Sequence, residues 1–351
     1  MRQLFNIFHI VMRRFSPEGG CRRGFLTAML PAIFASAMML IPEEASAQAE
    51  AQLTQYWAVP TYYNPAATGS TDYLRIRGGA KLQWLGISNA PKSFLLTGDS
   101  PFKFGKQKIG VGVNLTQTSM GLFSNLQTNI QVSYKLRLLK GEFSIGLQGG
   151  YYNSKFKGSE IYIPDNDDYH EGNDTSLPSQ DLTGNAFDFS AGIHYAHKYF
   201  SVGIGALHIM EPTVNLNVEG SESSDSHEYE TQLPRNLYFT ADGNIPLKNT
   251  LFSLQPSIMV RTDFSNFSAE ATARATYNRF ITFGVGYRWK DAVCVMAGAE
   301  FKNFFLGYAF DYPLSAINRA SSGSHEIIVG YQLKLDFSGK NKNKHRSIRI
   351  M

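Results

Sequence analysis

Between Asn125 and Leu138 apolar and polar residues alternate almost without a break. Leu126, Thr128, Ile130, Val132, Tyr134, Leu136 and Leu138 fall on one parity, and Asn125, Gln127, Asn129, Gln131, Ser133, Lys135 and Arg137 on the other. Successive side chains of a β-strand point to opposite faces, so the segment predicts a strand with one oily and one wet face. Tyr73–Trp84 repeats the pattern, with Leu74, Ile76, Ala80 and Leu82 set against Arg75, Arg77, Lys81 and Gln83. So does Lys108–Thr116, where Ile109, Val111, Val113 and Leu115 are interleaved with Lys108, Gly110, Gly112 and Asn114. Further segments at 92–99, 141–152, 186–196, 199–208, 235–244, 251–261, 267–277, 280–289, 292–300, 303–311 and 324–337 bring the set to fourteen. Many are near the ten or so residues that a tilted membrane-spanning strand needs.

After Ile41 no apolar run is long enough for a spanning helix. A membrane protein built from these strands must therefore close on itself, because hydrocarbon cannot satisfy an open strand edge. The expected fold class is all-β: a transmembrane, outer-membrane antiparallel β-barrel of about fourteen strands over 73–337, preceded by a short N-terminal periplasmic or plug element over 48–72. A soluble β-sandwich would also alternate, with its apolar face inward. Connection lengths favour the barrel, since such barrels pair short periplasmic turns with longer outer loops and keep both termini periplasmic. Leu139-Lys140, His197-Lys198, Leu247–Thr250 and Asn278-Arg279 are tight, whereas the longest connections, Asn153–Asn185, Ile209–Pro234 and Tyr312–Gly323, fall in the opposite phase.

Arg22-Arg23, the uncharged run Gly24–Ile41 and the small-residue stretch Ala45-Ser46-Ala47 describe a Sec signal peptide over 1–47, cleaved after Ala47. The run is also nearly as long as a membrane anchor, but Pro31 interrupts it and the cleavage-type residues follow it directly. Met12 is an alternative start. Cys21 lies in the leader, so Cys294 is the one cysteine of the mature chain and no internal disulfide is expected. Charged residues make up 18% and aromatics 13%, with 31 glycines and a net charge of +4. Part of that charge belongs to the leader, which argues against nucleic acid as a partner.

The wet faces collect Arg75, Arg77, Lys81, Lys135, Arg261, Arg274 and Arg288 with Glu142, Asp188, Asp242, Glu270 and Glu300. Cross-strand neutralisation of these charges inside a barrel is the expectation. The two longest loops are acidic, carrying Glu160, Asp165, Asp167, Asp168, Glu171, Asp174 and Asp181, then Glu211, Glu219, Glu222, Asp225, Glu228 and Glu230. They read as solvated loops, with a divalent cation or a protein partner as the sharper alternative; no D-x-[DN]-x-[DN]-G-x5-E pattern occurs. Lys340, Lys342, Lys344, Arg346 and Arg349 form a basic tail over 338–351, read as a solvated periplasmic end or a contact for a partner or lipid head groups. No metal-binding or phosphate-loop motif occurs, no cofactor is expected, and no catalytic residue is assigned.

Ahead of the first strand stand Leu53-Thr54-Gln55-Tyr56-Trp57 and Tyr62-Tyr63-Asn64-Pro65-Ala66-Ala67-Thr68-Gly69. Pro65 lacks an N–H and disfavours a helical Asn64, so this is a placed element at the periplasmic mouth or in the lumen, or a plain turn. It resembles the opening of the PorP/SprF family of Bacteroidetes outer-membrane proteins. Gln83-Trp84-Leu85-Gly86, Ala90-Pro91-Lys92-Ser93, Tyr308-Ala309-Phe310-Asp311-Tyr312-Pro313-Leu314-Ser315 and Gly323-Ser324-His325-Glu326 are similar to further motifs of that family. Thr54, Ala67-Thr68 and Ser324 depart from it.

The resemblance implies a non-enzymatic outer-membrane component of type IX protein secretion and gliding motility. Its partners would be outer-membrane lipids, secretion-machinery proteins of the periplasm or lipoprotein class, or a secreted surface adhesin. Gln55, Tyr56, Tyr63, Asn64, Pro65, Ala66 and Gly69 form the interaction or plug motif so marked, and Asp311, Tyr312, Pro313, His325 and Glu326 a rim motif, with Asp311 either pairing with lumen cations or closing a loop. A FadL-like transporter of hydrophobic small molecules, also fourteen-stranded with an N-P-A hatch, is the alternative.

Overall fold

In the segment with the cleanest alternation the usual order of burial is inverted. Gln131 and Ser133 are fully buried, while their neighbours Ile130 and Val132 are 62% and 49% exposed. Polar residues inward and apolar residues outward is the signature of a wall with lipid outside. A dry sandwich core would bury the other parity.

The computed structural model describes residues 52–104, 107–161, 178, 180–218, 229–247 and 251–335. Fourteen antiparallel strands form the wall: β1 Tyr73–Leu82, β2 Lys92–Phe104, β3 Gln107–Met120, β4 Phe123–Leu138, β5 Gly141–Phe156, β6 Leu182–Ala196 and β7 Phe200–Leu207. The second half comprises β8 Asn236–Gly243, β9 Phe252–Thr262, β10 Phe267–Tyr277, β11 Ile281–Arg288, β12 Ala292–Phe301, β13 Phe304–Pro313 and β14 Ser324–Lys334. Each pairs with its sequence neighbour, and β1 pairs with β14 from Tyr73↔Lys334 to Leu82↔His325, which closes the barrel. Closure gives each strand of the wall a partner on both sides, as a backbone in hydrocarbon requires. Among the described residues no helix is long and apolar enough to cross a membrane.

All fourteen segments expected from the alternation are strands, but several run further. β2 continues through Pro101, paired with Gly110, to Phe104. Proline lacks the ladder donor, yet Pro101 keeps the extended path opposite Gly110, so the strand runs past the 92–99 expected from the alternation. β3 and β4 extend to a tight turn at Gly121-Leu122, where a longer loop was expected. With Asp263–Asn266 and Trp289–Asp291 also brief, the loop end mixes short and long connections. The 209–234 connection contains a hairpin, Thr213–Val218 paired with Tyr229–Gln232. Its Val214 and Leu216 pack on Tyr152 and Leu182 of the wall.

The opposite end, where β1 begins and β14 ends, is called here the turn end. Its connections Leu139-Lys140, Asn278-Arg279 and Lys302 hold non-glycine residues at positive φ. Two-residue hairpins of that handedness match strand twist. The leader at 1–47, the basic tail at 338–351, and Asp165, Asp167, Asp168, Glu171, Asp174, Glu219, Glu222, Asp225 and Glu228 lie outside the described residues.

Candidate functional site

The lumen is occupied by the chain's own segment from Gln52 to Ser70. Three short helical turns, Tyr56–Ala58, Pro60–Tyr63 and Pro65–Ala67, give it a compact path. Leu53, Tyr56, Val59, Tyr63, Ala66 and Ala67 are each at most 2% exposed. Its apolar side chains build a core with Leu95, Leu207, Tyr238, Met259, Phe305 and Ile328, apolar residues that the wall turns inward.

The described segment starts at the loop end. The Lys81 ammonium donates to Gln52 O at 2.7 Å, and the Gln52 amide donates to Ser268 at 3.0 Å. Immediately below, Glu326 accepts from the backbone N–H groups of Thr54 and Gln55 at 2.7 and 2.9 Å. The Thr54 hydroxyl donates to Asp311 at 2.6 Å, and Lys81 bridges Asp311 at 2.8 Å and Glu326 at 3.6 Å. Arg288 completes the network, 2.8 Å from Glu270 and 3.4 Å from Asp311. These side chains are all at most 6% exposed. Buried charge of this density is retained only when paired and hydrogen-bonded.

Midway down, the Thr61 carbonyl accepts from Asn114 and Gln131 at 2.9 and 2.8 Å. Asn64 caps the last helical turn, accepting from Ala66 N–H at 2.9 Å and donating to Ile193 O at 3.0 Å. Asparagine suits this place because its side chain satisfies a helix-start N–H while its own backbone stays extended before Pro65. The segment leaves at the turn end: Gly69 N–H donates to Asp99 at 2.8 Å, and Arg75 grips the same carboxylate through two nitrogens at 3.0 and 2.8 Å. Gly69 has φ +60°, a conformation that glycine adopts without strain.

The wall glycines make this approach geometrically feasible. A Cβ on Gly146 would collide with the Pro65–Ala66 backbone, one on Gly110 with Thr68 O, and one on Gly205 with Tyr63 O. Glycine at strand spacing thus leaves backbone-deep grooves for the plug.

The expected site residues divide by parity. Asp311 and Glu326 point inward and hold the plug, whereas Tyr312 and His325 point outward, His325 hydrogen-bonded to the Tyr308 hydroxyl at 2.7 Å and Tyr312 accepting from Asn318. Pro313 is buried at the end of β13. Adjacent strand residues face opposite sides, so the five could not form one rim cluster. The expected charge pairing also changes in detail. Asp188 pairs with His208 at 3.0 Å, not with arginine or lysine. Asp99, absent from the expected set, takes Arg75. Arg77 stacks over Phe305 and Arg261 over Tyr238. Lys135–Glu142 and Arg288–Glu270 pair as expected.

At the loop end, Leu85 N–H donates to Gly323 O and Ser322 N–H to Leu85 O, at 2.8 and 2.7 Å, and Trp84 N–H donates to Ser324. Residues 52–55, 83–86 and 311–326, far apart in sequence, therefore meet around one buried network. Among the described residues, no group of His, Cys, Asp and Glu is arranged to hold a metal ion. Of the described acidic loop residues, Glu160 pairs with Lys157, and Glu211 with Arg235. Hydrogen bonds from the Ser159 hydroxyl and N–H hold the Asp181 carboxyl below the usual carboxylate range.

The model of the family described as type IX secretion system membrane protein PorP/SprF matches residues 45–331. The chain belongs to the PorP/SprF family. That span includes every motif that meets at the loop end. No curated protein matches this PorP/SprF member. Among solved structures it is similar to the Acinetobacter baumannii outer membrane protein Omp33, at 6% identity and TM-score 0.41, over 76% of this chain and 100% of that one. It is also similar to the P. putida toluene transporter TodX, at 10% identity and TM-score 0.42, over 78% and 92%. A Pseudomonas aeruginosa FadL homologue is similar at 9% identity and TM-score 0.39, over 77% and 91%.

Proposed function

We propose that this PorP/SprF member works in type IX secretion by binding and not by chemistry or conduction: a non-enzymatic outer-membrane barrel that engages secretion-machinery proteins or a secreted surface adhesin. The supporting observation is the filled lumen. A segment fixed by buried ion pairs at the loop end, by side chain to backbone bonds midway, and by Asp99 at the turn end leaves surfaces, not a channel, as the means of action. A transporter of hydrophobic molecules needs an open apolar passage, whereas the inward-facing apolar residues of this wall are covered by the plug, and Gln131, Ser133, Gln148 and Ser190 are all at most 2% exposed.

The reading includes Sec export, cleavage after Ala47 and periplasmic termini. Gentle extraction from native membranes, followed by mass spectrometry of what co-purifies and N-terminal sequencing of the barrel, tests it. Recovery of secretion proteins or an adhesin in stoichiometric amount is the expected result. A barrel that purifies alone, in cells where its deletion leaves surface adhesins unchanged, refutes the proposal.

A further inference from the structure

The two ends of the barrel differ in charge. Each fully described connection at the turn end carries one basic residue and no acidic one: Lys140 between β4 and β5, Lys198 between β6 and β7, Arg279 between β10 and β11, and Lys302 between β12 and β13. Loop-end connections show no such rule. Gly121-Leu122 is uncharged, Asp263–Asn266 carries only an acid, and Trp289–Asp291 carries both signs.

The basic tips adjoin a belt of outward-facing aromatics. Tyr199, Phe200, Phe252, Tyr277, Phe280, Phe301 and Phe304 are 41–63% exposed just above these turns. Lys198 lies 5.3 Å over the Tyr199 ring and Lys302 5.3 Å over the Phe301 ring, while Phe301 packs edge-on against Phe280, the residue after Arg279. Aromatic belts mark the level at which hydrocarbon gives way to head groups. Lys198 and Lys302 therefore sit at the height of lipid phosphates, on the outside of the wall, and Lys140 and Arg279 occupy turns at the same end.

We infer that the turn end is a binding surface for anionic phospholipid head groups, with Lys140, Lys198, Arg279 and Lys302 each offering one cation to phosphate oxygens at the membrane surface. A soluble acidic protein is disfavoured by the same geometry, because it would need to dock at the lipid boundary. The proposal is independent of the secretion reading.

The test uses the full chain in detergent, titrated with phosphatidylglycerol or phosphatidylcholine and followed by native mass spectrometry. The unmodified protein should retain phosphatidylglycerol at least about 10-fold better than phosphatidylcholine, as roughly 5-fold per interfacial cation implies after allowance for partial occupancy. The variant Lys140→Asn, Lys198→Gln, Arg279→Asn, Lys302→Asn should lose that preference; asparagine is used where φ is positive. A loop-end control, Lys155→Gln, Lys157→Gln, Lys290→Asn, Arg319→Gln, should keep it. Heat-modifiable migration verifies that each variant is folded. Equal retention of the two lipids by the unmodified protein, persistence of the preference in the turn-end variant, or equal loss in the control overturns the inference. So does loss of a co-purifying acidic protein, in place of lipid, from the turn-end variant.

Discussion

If the loop-end network docks the plug, removing Glu326 should release it. Glu326 is 1% exposed, and it accepts two backbone N–H bonds at 2.7 and 2.9 Å while facing Lys81 at 3.6 Å. A hydrogen bond to a charged group is worth about 1.5–3 kcal/mol. Breaking a buried pair by deleting one partner costs about 3–5 kcal/mol. Glu326→Ala should therefore weaken docking of residues 52–55 by about 3–5 kcal/mol, partly offset because Asp311 still holds Lys81 and Thr54. Glu326→Gln keeps one carbonyl acceptor but sets an amide donor against the other N–H, so it should lose roughly half as much. The readout is a cysteine at Thr61, a position 2% exposed in the intact plug. Its reaction with a water-soluble maleimide reports plug opening, and buried Cys294 serves as an internal control. At about 1.4 kcal/mol per tenfold, Glu326→Ala should label about 100- to 1,000-fold faster, with Glu326→Gln between it and the parent. If Glu326→Ala labels at the parental rate while the barrel remains heat-modifiable, the network does not dock the plug and the energetic argument fails.

Three further outcomes follow from the same geometry. Gly146→Val should destabilise the protein by about 1–3 kcal/mol or more through overpacking against Pro65-Ala66, lowering the temperature of the heat-modifiability transition; deletion of residues 52–70 should remove the penalty, and a penalty that survives the deletion would place the strain elsewhere. Asn64→Ala should cost about 1–2 kcal/mol in the same transition, since it removes both the cap on Ala66 and the bond to Ile193 O; a change below about 0.5 kcal/mol would contradict the assigned role. Ile130→Arg, on the outward face near mid-strand, should cost about 2–4 kcal/mol and reduce folding into vesicles, whereas unchanged insertion would mean that this face does not meet hydrocarbon.

Period-two alternation determined much of this molecule. It located all fourteen strands and their facing, because a strand that separates lipid from a polar interior must alternate at every step, a constraint that each segment carries locally. Parity also contained the correct partition of 311–313 and 325–326, had it been applied to the rim motif as it was to the strands. Other features were not local. That β2 passes through Pro101 depends on its neighbours, since Gly110 and the adjoining ladder hold the strand beyond a residue with no donor. The hairpin at 213–232 depends on Tyr152 and Leu182 being present to cover.

The plug is the clearest case. The sequence supplied its residues and its proline-fixed turn. Only the closed wall decided that it fills the lumen, starts among Lys81, Asp311, Glu326 and Arg288, and leaves past Asp99, because its polar groups must find partners on distant strands, from 30 residues away for Gly69 and Asp99 to 272 for Thr54 and Glu326. A single backbone carbonyl such as that of Thr61 carries no sequence signal for Asn114 and Gln131; three-dimensional proximity alone pairs them.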